Sequence, residues 1–433
     1  MLKIKMRSNK EKNMKHNGNI PIEKTIDSTL KLMTEGYLFI SNRCEKYQSN
    51  IFQTRLLGQD AICMRGEHAA KFFYESEGLE RKNALPKRIQ NTLLGKGGVM
   101  SLDGEEHKHR KQMFLSLMTE KRIQLLVELI DKEWENRSRK WAEEKKPIVF
   151  FDEMTYLLTK VACDWAGVPL KEQEIKERAK DLYSMVDALG GVGPRYWRGK
   201  KGRAKTEEWI KKIIDQIRKN KLNVSETSAA YVISHHLDLK GKLLDIHVAA
   251  VELINVIRPI VAIAVLLTFE LLALHQYSEL KELLREDENL IEMFANEVRR
   301  FYPFAPFTGA KVRKNFLWND IKFKKGTMVL LDIYGTNHDP HFWDNSNVFN
   351  PNRFKNWNDN PYAFIPQGGG YDDKNHRCPG EKIALEVMKV SLKYLVNNII
   401  YDVPKQDLSY SFVRIPTLPK DRMIIKNVRL NLD

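Results

Sequence analysis

The sequence predicts a mainly α-helical fold with a smaller β portion, on three observations. Apolar residues return at helical spacing through most of the chain. One stretch, LLDIHVAAVELINVIRPIVAIAVLLTFELLALH, reads as a single long buried helix from about Leu244 to His275. Short β-like runs occur only near residues 48–76, 319–335 and the C-terminus.

Taken in order, residues 1–18 are basic and polar, lack the apolar segment of a secretory signal, and are expected to form a disordered tail. Residues 19–433 are expected to form one domain. FQTRLLG and AICMRG read as strands, and EHAAKFFYE as a helix. Helical spacing returns at 105–144, 151–189 and 204–219. Between the last two lies ALGGVGPRYWRGKKG, expected to be a mobile connection. Its GGVG follows no strand and precedes no Lys-Ser/Thr pair, which argues against a phosphate cradle. After the long helix a further one covers about Glu288 to Phe301. NDIKFKKGTMVLLDIYG predicts a hairpin turning at KKG, and QDLSYSFVRI and RMIIKNVRL predict closing strands.

Composition narrows the function. Of 433 residues, 42% are apolar, enough for a sizeable core, which excludes global disorder. Lys and Arg number 71 against 56 Asp and Glu, a net charge of +15. That balance would suit nucleic acid or an acidic membrane. The basic residues are spread along the chain and no nucleic-acid signature accompanies them, so a solvated Lys-rich surface and no nucleic-acid partner are expected. Cys44, Cys63, Cys163 and Cys378 are too scattered for a disulfide scaffold, which points to a reduced, cytoplasmic protein. The uninterrupted apolar run from Pro259 to Phe269 is too short to span a bilayer. His107 and His109, or His235 and His236, lack a third ligand at zinc spacing.

Three constellations carry chemistry. In FIPQGGGYDDKNHRCPGE a lone Cys378 sits in a Gly-rich, Pro-bounded loop with His376 and Arg377 before it and a helix after it. A thiolate there faces free backbone N–H groups, supplied from Gly380 onward because Pro379 has none. The glycines let backbone lie close to a flat ligand. Glu297 and Arg300 share a helix face. Alone they read as an ordinary surface pair, but Arg353 in FNPNRF could reach the same carboxylate. In Asn255-Val256-Ile257-Arg258-Pro259, Pro259 leaves the Asn255 carbonyl without its helical partner, so a kink is expected. Arg258 then stands in an apolar helix, where its permanent charge needs an anion. That anion is either an internal carboxylate or a bound one.

The order ExxR, PxRF and Cys loop, preceded by a long helix, resembles the cytochrome P-450 superfamily of haem-thiolate enzymes. Phe364 lies 14 residues before Cys378, twice the usual distance. This expanded QGGG…HRCPGE loop is similar to that of the bacterial fatty-acid peroxygenase branch, as are DSTLKLMTEGYLFI, LPKRIQNTL, FLSLMTE and EVRRFYPFAPF. The resemblance implies a single-domain P-450 fold, a long kinked helix and the Cys loop enclosing haem b, and Cys378 as iron ligand. Glu297, Arg300 and Arg353 would form the structural triad behind the haem. It implies Arg81, His107, Lys111 and His376, with Arg110 nearby, as propionate partners. Leu94, Val99 and Met100 would face the distal side and Phe304 and Phe307 would line an acyl channel, although each is equally explained by core packing.

The O₂-activating members carry an acid–threonine pair at mid-helix. Here Thr268 lies about 15 Å past Arg258 along a helix and Glu252 about 9 Å the other way. The branch's implied solution is a substrate carboxylate, fixed by Arg258 beside Pro259, that moves protons on H₂O₂. The expectation is therefore an H₂O₂-dependent hydroxylase of long-chain fatty acids at Cα or Cβ, needing no redox partner. Oxidative decarboxylation to terminal alkenes, a reductase-fed monooxygenase and a basic haem-binding or nucleic-acid-binding protein are the rivals.

Overall fold

The computed structural model describes residues 20–431, so the tail expected at 1–18 lies outside the described residues. Among the described residues, nine helices of 13 residues or more build the core: α1 (Gly104–Ser116), α2 (Glu120–Glu144), α3 (Phe150–Ala166), α4 (Ile175–Asp187), α5 (Pro194–Arg218), α6 (Ile246–Ala262), α7 (Ala264–Gln276), α8 (Glu288–Phe301) and α9 (Glu381–Asn397). Several begin on a side-chain cap that satisfies a free N–H. Thr119 accepts from Arg122 N ahead of α2, Asp245 from His247 N ahead of α6, and Asp287 from Asn289 N ahead of α8.

The strands are β1 (Ile51–Leu56), β2 (Gln59–Met64), β3 (Leu79–Glu80), β4 (Ile148–Val149), β5 (Phe307–Val312), β6 (Phe316–Trp318), β7 (Ile321–Phe323), β8 (Met328–Asp332), β9 (Ile399–Asp402) and β10 (Ile424–Leu430). They form a five-stranded sheet in the order β1-β2-β8-β5-β3, a three-stranded sheet β4-β10-β9, and the hairpin β6–β7. β2 and β8 are parallel; β5 and β8 are antiparallel.

Three expectations are corrected. The hairpin turns at Asn319–Asp320, both left-handed, and not at KKG. Lys324–Gly326 instead carries the chain out of the hairpin into β8 of the larger sheet. QDLSYSFVRI forms no strand, whereas Ile424–Leu430 does. The segment expected as a mobile connection is helical from Pro194, which occupies the first position of α5, where its missing N–H costs nothing. Gly199 and Gly202 there are contact residues: a Cβ at either would clash with α4 or its C-terminal end at Ser184. As expected, α6 and α7 continue as one long helix, Ile246–Gln276, with a single tighter turn at Ile263, four residues beyond Pro259, where the Ile263 N–H bonds the Ile260 carbonyl at 3.1 Å. The region 246–276 is apolar enough to cross a bilayer by composition, but 94% of its most apolar window is buried, as in a core helix.

One ion cluster fastens α8 to the segment that follows β8. Glu297 is fully buried and accepts from Arg300 Nε and Nη2, both at 2.7 Å, a bidentate pair. Arg353 Nε approaches the same carboxylate at 3.0 Å, and Asn350 N donates to it at 2.8 Å. Arg300 Nη1 reaches the carbonyls of Asn337 and Ser346. Removing Glu297 strands two guanidinium groups in the interior. Glu297→Ala is therefore expected to cost about 3–5 kcal/mol in urea unfolding, against about 1 kcal/mol for loss of the helix cap in Asp287→Ala.

Candidate functional site

The Cys378 loop is held tightly. Gly368 and Gly370 have φ of 101° and 81°, and Cys378 N donates to Gln367 O at 3.2 Å. A Cβ at Gly369 would lie 2.9 Å from Ile365 Cγ2 and 3.0 Å from the Pro361 carbonyl and the Tyr74 ring, so a side chain there would force its neighbours to shift. Asn375 ties the expanded part down, donating to Tyr74 O at 2.8 Å and accepting from Tyr371 N at 2.9 Å. Burial raises the Cys378 thiol above its ordinary pKa; the Gly380 N–H, Lys111 and Arg299 oppose this without cancelling it. The loop alone thus does not ionise the thiol, whereas a bound metal cation would.

Two cations near this loop, buried Lys111 and half-buried Arg81, have no carboxylate within ion-pair distance among the described residues. Lys111 donates only to the carbonyls of Arg377, at 2.8 Å, and Asn375. The Arg81 guanidinium lies 4.0 Å over the Phe73 ring and has one long hydrogen bond, to Gly309 O at 3.5 Å. Burial pulls Arg81 down to about 10 and Lys111 down to about 8. His107 and His376 stack with centroids 3.8 Å apart. Burial lowers them to about 3 and about 4, so both are neutral at pH 7. Asp103 closes this pocket by accepting from the Arg81 and Lys82 N–H groups. Two cations without counter-ions fit a ligand bearing two carboxylates. Arg110, expected among the propionate partners, is instead committed to Glu252, with Nη1–Oε1 at 2.7 Å.

That commitment settles the internal alternative for Arg258. Glu252 is fully buried and saturated by Arg110, by Val99 N at 2.9 Å and by Asn255 Nδ2 at 3.1 Å. Arg258 is 7% exposed, forms no ion pair among the described residues, and its Nη1 has no hydrogen-bond partner. Burial lowers its pKa to about 9, the neighbouring positive Arg203 adds to this, and Cys378 opposes it. The acid–threonine pair is absent at mid-helix. Thr268 Oγ1 donates to Ala264 O. Glu270, two residues on, points to a different face of the helix and is driven towards the neutral form by burial.

The remaining expected residues are dispersed around this centre. Leu94 ends a π-helical turn, Gln90–Leu94; Val99 and Met100 lie in the 3₁₀ turn Val99–Ser101, which the Val99–Glu252 bond fixes to α6. Met100 is exposed. Phe304 packs on the helical core and Phe307 on a separate cluster under β1 and β2. Three residues escaped the sequence reading. Arg299 joins Gln367 Oε1 at 2.8 Å and also Glu381, which accepts from Arg377 Nε at 2.7 Å. Arg203, buried in α5, donates to Leu93 O at 3.2 Å and Glu207 at 2.6 Å and leaves Nη2 unpartnered. A Cβ at Gly95 would strike Arg203, so that position admits only glycine.

The family model described as Cytochrome P450 matches residues 271–421. Cytochrome P450EX alpha (CYP152N1), solved with myristic acid, is 42% identical with a TM-score of 0.92, covering 95% of this chain and 100% of that one. Cytochrome P450SP alpha (CYP152B1), solved with (R)-ibuprophen, is 44% identical with a TM-score of 0.91, covering 93% and 99%. A cytochrome P450 OleT variant in complex with arachidonic acid is 36% identical with a TM-score of 0.93, covering 96% and 99%. Abscisic acid 8'-hydroxylase 4 of Arabidopsis thaliana is 24% identical, with 90% of this chain and 88% of that protein matched.

If Cys378 is the axial ligand, the reduced protein with CO absorbs where thiolate-ligated haem does, and Cys378→Ser abolishes that band. Cys44→Ser, Cys63→Ser and Cys163→Ser keep it. A band unchanged in Cys378→Ser rules the ligand out.

Proposed function

Because the chain belongs to the cytochrome P450 superfamily of haem-thiolate oxidoreductases, we propose that it is an H₂O₂-dependent fatty-acid peroxygenase, hydroxylating long-chain acids at Cα or Cβ. The observation that carries this reading is Arg258, a buried guanidinium with an unpartnered Nη1 and, among the described residues, no carboxylate in ion-pair reach. A guanidinium is matched by a carboxylate in a two-pronged pair. An apolar helix surrounds it, which suits an anion attached to a long alkyl chain. Fatty acids bound to the related P450EX alpha and OleT structures support the same substrate class.

Cys378 would hold haem b through its sulfur, with Arg81 and Lys111 meeting the two propionates beside the His107–His376 stack. Bound there, the haem would supply oxygen transfer from H₂O₂, its thiolate favouring O–O cleavage. Arg258 binds the substrate carboxylate and, by holding it, fixes the first carbons of the chain. The carboxylate so held takes and returns the peroxide proton, the work that an acid–threonine pair does elsewhere in the superfamily. Glu252 cannot substitute, because Arg110, Val99 and Asn255 occupy it. H₂O₂ already carries the two electrons that a reductase would otherwise deliver to O₂, so with proton handling supplied by the substrate no redox partner is needed. Met100 bears on the outcome: a thioether accepts weakly and cannot donate, so it holds no water or carboxylate in place. Hydroxy acids are accordingly the main product, with alkene minor.

Truncating one side of a buried charge pair costs roughly 2–5 kcal/mol, or on the order of 30- to several-thousand-fold. Arg258→Leu is expected to keep its CO spectrum and lose fatty-acid oxidation with H₂O₂ by at least that factor, and a fatty-acid methyl ester is expected to be a very poor substrate. Near wild-type turnover in Arg258→Leu refutes substrate-assisted proton transfer.

Mass spectrometry of products from myristic acid and H₂O₂ alone checks the rest. Hydroxy acid should dominate; dominant alkene from the wild type overturns the product assignment, and turnover only with a reductase overturns the peroxygenase reading. Met100→His tests whether this position directs the partition.

A further inference from the structure

Exposed apolar side chains gather on one face. Ile26 and Leu30 are 90% and 75% exposed, Trp197 is 60% exposed, and Met33, Val192 and Val413 are also exposed. They sit on segments that touch. The short helix Thr29–Glu35 ends at Gly36, where a Cβ would clash with the Phe412 carbonyl, and Tyr37 N donates to that carbonyl at 2.9 Å. Two residues beyond Val413, the Ile415 carbonyl accepts from Gly190 N at 3.2 Å and from Arg195 Nη2 at 2.8 Å. Gly190 leads directly to Val192 and to Trp197 in the first turns of α5. Arg88 donates to the Gly191 carbonyl and lies 5.3 Å over the Tyr196 ring. Arg88 also opens the segment that runs to Leu94, so this face borders the side of the site that carries Arg258.

Its charge is mainly positive, although the Asp27 carboxylate, which accepts from the Thr29 and Gly58 N–H groups, and Glu35, paired with Arg43, lie on the same segments. The acidic Asp187 is consumed by Arg195 at 3.1 Å and Arg414 at 2.6 Å. Lys24, Lys87, Arg198, Lys200 and Lys201 are exposed on the same segments, and none has an ion pair among the described residues. Lys200 Nζ stands 5.3 Å over the Trp197 ring.

We propose that this face docks the protein on an anionic lipid bilayer. Protruding apolar side chains ringed by unpaired Lys and Arg match an interface whose headgroups are negative and whose interior is hydrocarbon. A second copy meeting the same patch would bring these cations against their own kind. Nucleic acid would leave Ile26, Leu30 and Trp197 without a partner. The docking stands independently of the fatty-acid reading. Its use rests on that reading, because a long-chain acid resides in the bilayer and would pass to the site without crossing water.

The test uses the full-length haem-loaded protein and sedimentation with vesicles, without fatty acid or peroxide, so its failure is separate from failure of the proposed reaction. Vesicles of equal parts phosphatidylglycerol and phosphatidylcholine are expected to bind at least about tenfold more tightly than phosphatidylcholine alone at low salt, and molar salt to release the protein. Ile26→Glu with Trp197→Glu is expected to weaken this binding at least about tenfold with the CO spectrum unchanged, and Lys200→Glu with Lys201→Glu to weaken it as well. No preference for anionic vesicles overturns the proposal. So does binding that survives the Glu pair, or a concentration-dependent dimer that the same pair dissolves, which would make the face a self-contact.

Discussion

The position of Cys378 depends on a carboxylate that never meets the substrate. Glu297 gathers Arg300 and Arg353 in a water-free interior and so joins α8 to the chain between Asn337 and Arg353. From there the linkage continues: Asn337, whose carbonyl takes Arg300, uses Oδ1 to hold Ile365 N at 2.9 Å at the start of the Cys loop. Arg299, the next residue on α8, holds Gln367 and Glu381 on either side of the sulfur. Two adjacent arginines on one helix therefore fix both ends of the ligand loop. Buried ion groups of this kind add little net stability, but they tolerate few alternative arrangements, because each displaced partner leaves a bare charge.

The same reasoning, inverted, marks the site. The interior is economical with carboxylates. Glu252 could have neutralised Arg258, but Arg110 reaches it from α1 and leaves Arg258 unmet. Asp103 lies beside Arg81 yet spends its oxygens on backbone N–H groups and so leaves that guanidinium without a carboxylate in reach. Among the described residues Lys111, Arg81 and Arg258 have no carboxylate in ion-pair reach, and the proposed cofactor and substrate would supply the anions they lack.

Much of this was legible in the sequence. The ExxR spacing, PxRF and the Cys loop announced themselves because each is a short run whose geometry is local, and Arg258 stood out as a charge in an apolar helix. What was hidden was set by distant partners. Nothing near Arg110 in sequence says that it faces Glu252 and not the propionate pocket. Gly199 and Gly202 read as loop residues because close packing against α4 and its C-terminal end looks, in sequence, like flexibility. KKG looked like a hairpin turn because the pairing of β8 with β2 and β5 leaves no local trace.

That parallel pairing of β2 with β8 bears on biosynthesis. β1 and β2 leave the ribosome early as a hairpin whose inner edge, Ala61–Met64, has no mate until Met328–Leu331 is made, after most of the helical core. Parallel neighbours far apart in sequence are slow to find one another. In the interval the strand AICM offers an apolar, unpaired edge to any passing chain. The longer that hairpin waits, the longer this edge is exposed, and chaperone occupancy during synthesis should peak before the sheet closes.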